Sequence, residues 1–271
     1  MKILIIDRDR EAALALQTKL SEGGHHIVIE PVRRQAIELL AQEAFDCIFI
    51  DPAPLPTARE ITLQQRWEQR ERYQYQVLMG HNPDPQEVMR AGLNSILPKP
   101  FDPARIDELA KNAERLLQFA HKLQSGPELQ KVDERLFTRR AMAQLILSAL
   151  DRTYRYGEQA FLLKINLING EALQASMGPD YLLNLRRSFM DYIGEMRRMS
   201  DLLGHTDTDE CVLLMQRPWQ PNEPRDATER FAAALNEYRD DPANNAQHAE
   251  FMLSLWELPS ANVVMEIGLT E

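Results

Sequence analysis

The feature that most constrains the fold is the alternation of short apolar segments with helical patterns in the first part of the chain. The apolar segments are KILIID, HHIVIE, CIFID, YQVLMG and NSILP. Segments with helical periodicity, such as EAALALQTKL, RQAIELLAQE and PQEVMRAG, lie between them. Because strands that alternate with helices form parallel sheets with helices on both faces, the sequence predicts an α/β domain with a doubly wound, five-stranded parallel sheet.

Composition excludes several classes of protein. The chain has 271 residues, enough for two ordinary domains, and its formal charge of -10 argues against a general nucleic-acid-binding surface. No apolar run approaches the roughly 18 residues of a membrane-spanning helix, and the N-terminus becomes charged too early for a signal peptide. Cys47 and Cys211 lie in apolar segments and are predicted to be buried thiols. We expect a soluble, cytoplasmic protein with no nucleic-acid partner and no membrane insertion.

Charged side chains lie at the ends of three predicted strands. Asp7 ends the first strand, Asp51 ends the third, and Lys99 follows the fifth. Functional sites of such sheets form at the carboxyl ends of the strands. Clustered carboxylates with a lysine can hold a divalent cation and a phosphoryl group, because metal and ammonium together offset the phosphate charge.

Residues 1 to about 122 resemble the receiver domains of response regulators, which act in two-component signalling and phosphorelays. The resemblance is carried by LIIDRD, FIDPAPLP and AGLNSILPKPF, in that order. It implies a flavodoxin-like fold in which Asp51 accepts the phosphoryl group, Asp7 belongs to the acidic pocket and Lys99 contacts the phosphate. It also implies a sensor histidine kinase among the signalling partners, and Mg²⁺ bound by Asp7 and Asp51.

Several positions depart from the receiver pattern. Arg8 stands where a second acid is usual, and Asp9 could replace that acid only if the turn is shifted. Gly80 stands at the hydroxyl position and Ile96 at the aromatic position. The two residues that usually couple phosphorylation to a rearrangement of the receiver surface are therefore absent. Two interpretations stay open: a phosphorylatable receiver, and a pseudo-receiver in which Arg8 pairs with Asp51 in place of a metal. We favour the second.

A helical extension and linker is predicted over residues 103–129, before the break at SGP. Its apolar residues are spaced four and three apart, as in a coiled-coil seam. They are Leu109, Ala113, Leu116, Ala120 and Leu123. The first turns are expected to pack on the sheet. Beyond about Leu117 no sheet remains to be covered, so a homodimer contact is predicted there.

The pattern changes in the C-terminal part, residues 130–271. A helix precedes the strand FLLKINLI, followed by the helix YLLNLRRSFMDYIGEMRR, the hairpin DLLGHTDTDECVLLMQRP, the helix ATERFAAALNEYRD and the strands FMLSLWELP and VVMEIGL. This order predicts an α+β domain with a mainly antiparallel sheet. Over residues roughly 130 to 260 it resembles the GGDEF domain of diguanylate cyclases.

The GGDEF signature is degenerate in this chain. Its two glycines fall on Asp207 and Thr208, and its Asp-Glu pair falls on Asp209 and Glu210 in a predicted turn. Glycines are needed in such a turn because the backbone bends sharply and a guanine nucleotide must approach closely.

The predicted metal position is also altered, because the first strand of this domain has Lys164 or Asn166 where a cyclase has a carboxylate. A protonated lysine cannot ligate Mg²⁺, and phosphoryl chemistry at two metals fails without the carboxylates. The domain is therefore expected to be inactive, and the protein to be no enzyme and to require no cofactor.

Arg198 and Asp201 lie three residues apart just before the hairpin. They match the RxxD site at which many GGDEF domains bind cyclic di-GMP. A guanidinium pairs with phosphate or with the Hoogsteen edge of guanine, and a carboxylate accepts from the N1 and N2 donors of guanine. The alternative is that the two side chains pair with each other at a helix end. Arg186, Arg187 and Arg197 could supply further contacts, but a solvated helix face is the favoured interpretation of each. Trp219 is interpreted as part of a connecting loop or a partner surface.

Together these patterns predict a non-catalytic two-domain signalling regulator that acts by protein interaction, with cyclic di-GMP as a ligand at Arg198 and Asp201. The first alternative is a docking scaffold without nucleotide binding. The second, which ranks last, is a diguanylate cyclase controlled by phosphorylation of Asp51.

Overall fold

The computed structural model describes residues 1–51, 61–62, 65, 73–80, 88, 91–126 and 136–270. The chain divides into two compact units. Unit 1 comprises residues 1–122, 150–158 and 259–261, and unit 2 comprises residues 123–149, 159–258 and 262–271. Two short segments of the predicted C-terminal domain therefore belong to the first unit. Residues 127–129 of the predicted linker, and most of the predicted helix PQEVMRAG, lie outside the described residues.

Unit 1 has the parallel sheet that the alternating pattern predicts. Its elements are β1 (Lys2–Ile6), α1 (Arg10–Glu22), β2 (His26–Ile29), α2 (Arg33–Gln42), β3 (Cys47–Ile50), β4 (Tyr75–Gly80), β5 (Ser95–Pro98) and most of α3 (Pro103–Ser125), whose residues after 122 belong to unit 2. The strand order is β2-β1-β3-β4-β5, and every neighbouring pair is parallel. This is the flavodoxin-like order, so the predicted fold class of the N-terminal part is confirmed.

The core of unit 1 follows from the two periodicities in the sequence. β3 is buried along its whole length, as expected for a central strand covered on both faces. On α1 the buried residues are Ala13, Leu16 and Leu20, which share one helical face. The carboxylate of Asp9 caps α1 by accepting bonds from two backbone amides of the first turn.

The apolar stripe of α3 is buried within the single chain. Its five residues are between 0% and 8% exposed. They are Leu109, Ala113, Leu116, Ala120 and Leu123. Because these side chains are buried, the described residues give no support for the homodimer contact expected beyond about Leu117, and homodimerisation stays a prediction.

Unit 2 is built on an antiparallel sheet. The elements after residue 138 are α4 (Arg139–Tyr156), β6 (Ala160–Leu167), α5 (Gly170–Met177), α6 (Pro179–Met196), β7 (Leu202–Asp207), β8 (Glu210–Gln216), α7 (Glu223–Asp240), a 3-10 turn (Pro242–Asn244), β9 (Phe251–Leu258) and β10 (Asn262–Leu269). The strand order is β10-β9-β6-β8-β7, with antiparallel neighbours throughout. The predicted antiparallel sheet is confirmed, and four of its strands have the order of the split βαβ motif.

Sequence patterns missed two details of unit 2. The segment GEALQASM forms a separate helix, α5, which no pattern had indicated. Helix α7 begins at Glu223 rather than at Ala227, because Pro224 is favourable in the first turn of a helix.

The alternation along β6 separates the two faces of the second sheet. Phe161, Leu163 and Ile165 belong to a large apolar cluster with residues of α6 and α7. Lys164 therefore lies on the opposite face, where its ammonium stands 4.6 Å from the centre of the Trp256 ring. Trp256 is buried, with 5% of its surface exposed.

Two further expectations from composition can be compared with the structure. Cys47 and Cys211 are free thiols and both are buried, as predicted. Within the described ranges, no helix has the combination of length and hydropathy that crossing a membrane requires.

Asn94 organises a set of buried hydrogen bonds in unit 1. Its Oδ1 accepts from the backbone amide of Gln76 at 2.9 Å, and its Nδ2 donates to the Tyr73 hydroxyl at 2.7 Å and to the Pro259 carbonyl at 2.8 Å. We expect Asn94→Ala to lower the free energy of unfolding by about 1–3 kcal/mol, because it leaves buried polar groups without partners. Urea denaturation measures this change.

Gln35→Ala is the matched control for Asn94→Ala. Gln35 is an exposed amide side chain on α2 of the same unit. Its truncation is expected to change the unfolding free energy by less than about 0.5 kcal/mol. Equal effects of the two substitutions would contradict the structural role assigned to Asn94.

Candidate functional site

The parallel register of unit 1 brings together the three residues predicted at the strand ends. Ile6 of β1 is paired with Ile50 of β3, so the residues that follow, Asp7 and Asp51, lie side by side at the carboxyl edge of the sheet. Lys99 follows β5 at the same edge. Its Nζ lies 2.8 Å from Asp7 Oδ2 and 2.5 Å from Asp51 Oδ2.

This ammonium bridge is mostly shielded from water. The side chain of Asp7 is 1% exposed, that of Lys99 is 13% exposed and that of Asp51 is 26% exposed. Burial alone would lower the pKa of Lys99, but its contacts with Asp51 and Asp7 outweigh burial and raise that pKa above its usual value. The lysine is therefore charged at every physiological pH.

A cavity of about 310 Å³ opens beside the bridge. Besides the three bridged residues, Arg8, Asp9 and Arg33 contribute to its walls. The formal charges of these six side chains cancel. Asp9 uses its carboxylate to cap α1, so it does not replace the missing second acid.

The predicted pairing of Arg8 with Asp51 is not found. Asp51 has Lys99 as its ion-pair partner, while the side chain of Arg8 is exposed and makes no ion pair with a described residue. The reason is geometric: Lys99 follows a strand at the same carboxyl edge, so its ammonium reaches both carboxylates, whereas the side chain of Arg8 points to solvent. A side chain of the chain itself thus neutralises the pocket, but it is the lysine rather than the arginine.

Lys99 neutralises Asp7 and Asp51 through one oxygen of each carboxylate, Oδ2. The other oxygen of Asp7, Oδ1, accepts from the backbone amide of Asp9 at 2.9 Å. Mg²⁺ requires near-octahedral coordination by oxygen, so these two acids alone do not complete a site for it. Among the described residues, no group of three or more His, Cys, Asp or Glu side chains could hold a metal ion. Mg²⁺ at Asp7 and Asp51 stays a prediction.

The hairpin turn of unit 2 carries a second set of paired charges, beginning with Glu210. Glu210 is the first residue of β8, whereas the predicted turn had included it. Its Oε2 lies 2.9 Å from Nζ of Lys164, and its Oε1 accepts from the Thr206 hydroxyl at 2.8 Å. Lys164 is opposite Val212 in β8, two residues from Glu210, on the same face of the sheet. The ammonium therefore occupies the neighbourhood in which the resemblance to cyclases places a metal carboxylate.

Asp209, at the tip of the turn, is paired with Arg186 of α6. Arg186 Nε and Nη2 donate to the two carboxylate oxygens at 2.7 and 2.9 Å, a bidentate geometry. The Asp209 carboxylate also lies against Gly170, where a Cβ would come within 3.1 Å of both of its oxygens. A glycine at the start of α5 thus lets the carboxylate approach a helix N-terminus, which favours negative charge.

The third acid of the turn, Asp207, faces Arg139 of α4. Arg139 Nη2 lies 3.7 Å from Asp207 Oδ1, and Arg139 Nε donates to the Thr206 carbonyl at 2.8 Å. Each of the three acids therefore has a cation of a different element beside it. The interpretation of Arg186 and Arg187 as a solvated helix face is correct for Arg187, which is exposed, and wrong for Arg186.

The structure does not join the side chains of Arg198 and Asp201. Asp201 is 9% exposed, and its Oδ2 accepts from the backbone amide of Arg198 at 3.2 Å. Burial raises the pKa of Asp201, although its bond to Arg198 and the charge of that guanidinium oppose the shift. The guanidinium of Arg198 instead donates to Glu223, the first residue of α7.

Glu223 is a residue that sequence patterns missed. The second oxygen of Glu223, Oε2, accepts from the backbone amide of Trp219 at 2.6 Å. This bond, followed by the bond from Arg198, lowers the pKa of Glu223, so the carboxylate is ionised. Trp219 is 91% exposed and Met199, next to Arg198, is 93% exposed. The signal available in the sequence was the acid in the first turn of a helix, which is too common to indicate a site.

Comparisons with known proteins give structural likeness only. No family model matches the sequence, and no curated protein matches it. A two-component response regulator from Clostridium difficile is 22% identical, with 42% of this chain and 96% of that chain covered and a TM-score of 0.37. A response regulator from Thermotoga maritima is 19% identical, covering 41% and 95%, with a TM-score of 0.39. The chemotaxis response regulator CheY4 of Vibrio cholerae is 18% identical, covering 41% and 97%, with a TM-score of 0.36.

Removing the ammonium bridge is expected to destabilise unit 1. Lys99→Met leaves Asp7 and Asp51 side by side without a cation, so we expect the free energy of unfolding at pH 8 to fall by about 1–3 kcal/mol. The contribution of Lys99 is fully present below its ordinary pKa of 10.5 and is lost as the pH rises through the raised pKa of the folded protein. Urea denaturation from pH 8 upwards should therefore show the two proteins converging only above pH 10.5.

Lys19→Met is the control for this experiment. Lys19 bridges Glu22 and Asp107 at the surface, where water and salt screen ion pairs, so its loss should change stability much less than the loss of Lys99. If Lys99→Met were as stable as the wild type at pH 8, the bridge would not be the stabilising contact that its geometry indicates.

Proposed function

We propose that this protein is a non-catalytic signalling regulator with two domains, which acts by binding other proteins. The first domain, residues 1–122, is a degenerate receiver, and the second, residues 130–271, is a degenerate GGDEF-like domain. The single observation that carries this proposal is that the carboxylates on which catalysis would depend are paired with cations of the chain itself. Lys99 engages Asp7 and Asp51, and Lys164 engages Glu210.

The receiver assignment is supported by the strand order of unit 1 and by the meeting of Asp7, Asp51 and Lys99 at one sheet edge. Signalling proteins, with a sensor histidine kinase among them, are the partners that this assignment implies. Gly80 and Ile96, which replace the hydroxyl and the aromatic residue, argue against a phosphorylation switch of the usual kind. Binding of partners by the domain surface does not require that switch.

The GGDEF-like assignment is supported by the order of elements in unit 2 and by the position of the hairpin. Absence of catalysis follows from the charges around that hairpin. An ammonium at Lys164 cannot ligate Mg²⁺, and Asp207 in place of a glycine would add repulsion to a triphosphate. Arg186 also donates to both oxygens of Asp209, so this carboxylate is less available to a metal or a nucleotide.

Cyclic di-GMP is the ligand that we propose for the second domain. The observation in its favour is the exposure of Arg198, whose side chain is 52% accessible at the flank of the hairpin. A guanidinium in this position can meet phosphate or guanine. The docking scaffold without nucleotide binding is the competing proposal.

The test of both proposals is one set of titrations on the full chain. With GTP and Mg²⁺ we expect no release of pyrophosphate and no cyclic di-GMP, since the turn carboxylates are paired internally. Turnover of GTP that is lost in Glu210→Gln would show an active cyclase and would contradict the non-catalytic proposal.

With cyclic di-GMP we expect calorimetric binding in the micromolar range that weakens at least about tenfold in Arg198→Ala, because the charge-assisted contact is lost. Arg187→Ala, an exposed arginine of the preceding helix, should bind as the wild type does. No binding to the wild type would favour the docking scaffold.

A further inference from the structure

Strand β10 forms one edge of the second sheet. Within the described ranges, no strand pairs with its outer side. At the opposite edge, the outer side of β7 is met by Phe137, whose N–H donates to the Leu203 carbonyl and whose carbonyl accepts from the His205 amide. The chain therefore covers part of the β7 edge, whereas its described residues leave the β10 edge open to another strand.

The direction of the backbone groups of β10 follows from the hydrogen bonds of the sheet. The Glu250 carbonyl accepts from the amide of the residue after β6, so the backbone groups of Glu250 face β6. Successive residues of an antiparallel strand turn these groups to opposite sides, so those of Leu253 face β10. Leu253 is paired with Ile267. The neighbours of Ile267, which are Glu266 and Gly268, therefore turn their N–H and C=O groups away from the sheet.

The β10 edge lacks most of the features that prevent edge strands from pairing. Natural edge strands are commonly protected by lysine, by proline or by short length. The segment NVVMEIGL is eight residues long, contains neither lysine nor proline, and has Glu266 as its one charged residue. A bulge lies between Val263 and Met265, near the start of the strand, and the register is regular from there to Leu269.

The two faces of this regular stretch differ in polarity. Met265, Ile267 and Leu269 are partly buried and pack against the apolar cluster of unit 2. Glu266 and Gly268 alternate with them and are exposed on the other face. A neighbouring strand with the same alternation would extend the apolar layer and remove more of it from water. Among the described residues, none is bonded to the outward backbone groups of Glu266 and Gly268.

A second copy of β10 supplies that alternation. In an antiparallel pair with a twofold axis at Ile267, Glu266 lies opposite Gly268 of the second copy, and Met265 lies opposite Leu269 of the second copy. The outward groups of Glu266 and Gly268 then form hydrogen-bonded pairs, which exchange both N–H···O bonds. Apolar side chains meet apolar side chains on one face. On the other face, each carboxylate stands opposite a residue without a side chain.

The neighbouring registers are less favourable. An axis at Glu266 would place two carboxylates directly opposite each other, which destabilises a strand pair. An axis at Gly268 would pair Glu266 with Thr270 of the second copy. The Thr270 carbonyl already accepts from Arg239 of α7 at 3.2 Å. The axis at Ile267 therefore combines complementary side chains with unoccupied backbone groups.

We propose that two copies of this chain form a homodimer by antiparallel pairing of their β10 strands, which joins the two second-domain sheets into one continuous sheet. This interface is separate from the α3 stripe and goes beyond the proposed function, because it requires neither a signalling partner nor cyclic di-GMP. Pairing about a twofold axis uses the open edge of both copies, so assembly ends at the dimer.

Sedimentation equilibrium of the full chain over the micromolar range tests the assembly. We expect a monomer–dimer equilibrium without larger species. Gly268→Glu places acid opposite acid on both sides of the axis and should raise the dimer Kd by about tenfold. A Cβ at Gly268 would meet only the flexible end of Met252 at 3.4 Å, so the monomer should fold normally, which circular dichroism verifies.

A charge exchange makes this test specific to the proposed register. Combining Glu266→Lys with Gly268→Glu places opposite charges across the axis, so it should restore the wild-type Kd or lower it. Ala175→Glu, which adds an acid at an exposed position of α5, is the matched control and should leave the Kd unchanged.

Cross-linking gives a second readout. At the axis Ile267 faces its own copy in a pair without hydrogen bonds, where the Cα atoms are about 4.5 Å apart, close enough for a disulfide. Ile267→Cys should therefore form a covalent dimer under mild oxidation. Cys47 and Cys211 are buried and should not compete. Gln174→Cys, on the exposed face of α5, should stay uncross-linked.

Each outcome bears on the interface alone. A monomer at every concentration would overturn the proposal and leave the proposed function untouched. A dimer that keeps its Kd in Gly268→Glu, or that does not cross-link through Ile267→Cys, would place the contact elsewhere and overturn it as well. Species larger than a dimer would contradict the closed twofold pairing.

Discussion

An ionised carboxylate that is removed from water must be paired with a positive charge, and this constraint organises both units of the protein. In unit 1 the strands deliver Asp7 and Asp51 to the same edge of the sheet, where two adjacent negative charges would repel each other. Lys99 resolves the conflict with one ammonium. In unit 2 the hairpin turn gathers three acids within four residues, and three cations from three other elements lie beside them.

The two units thus solve the same electrostatic problem with cationic side chains of the chain itself. A divalent cation placed by carboxylates can bring phosphates to a site, because its remaining coordination positions stay open to ligands. An ammonium or a bidentate guanidinium neutralises the same carboxylates but has no open coordination position at which a phosphate could bind. This difference is the physical reason for proposing a protein that does not carry out phosphoryl chemistry.

The fold was largely predictable from the sequence, because strands and helices alternate with distinct periodicities and those periodicities determine which faces are buried. The strand-end pocket was predictable as well, since parallel register places the residues after β1 and β3 together. The partners of Arg186 and Arg198 were not predictable, because a charged residue on a helix gives no indication of which distant loop it meets. Packing of the first turns of α3 on the sheet was predicted, but a heptad-like spacing does not reveal which surface covers the residues beyond Leu117.

The paired charges at the β7–β8 turn limit which single substitutions this chain could accept during evolution. Its acids and cations come from α4, β6, α6 and the hairpin, so each side chain depends on a partner distant in sequence. A single replacement of Lys164 by an acid would place two carboxylates together before any ion had been recruited to separate them. Metal binding by carboxylates at this turn would therefore have to arise through less stable intermediates.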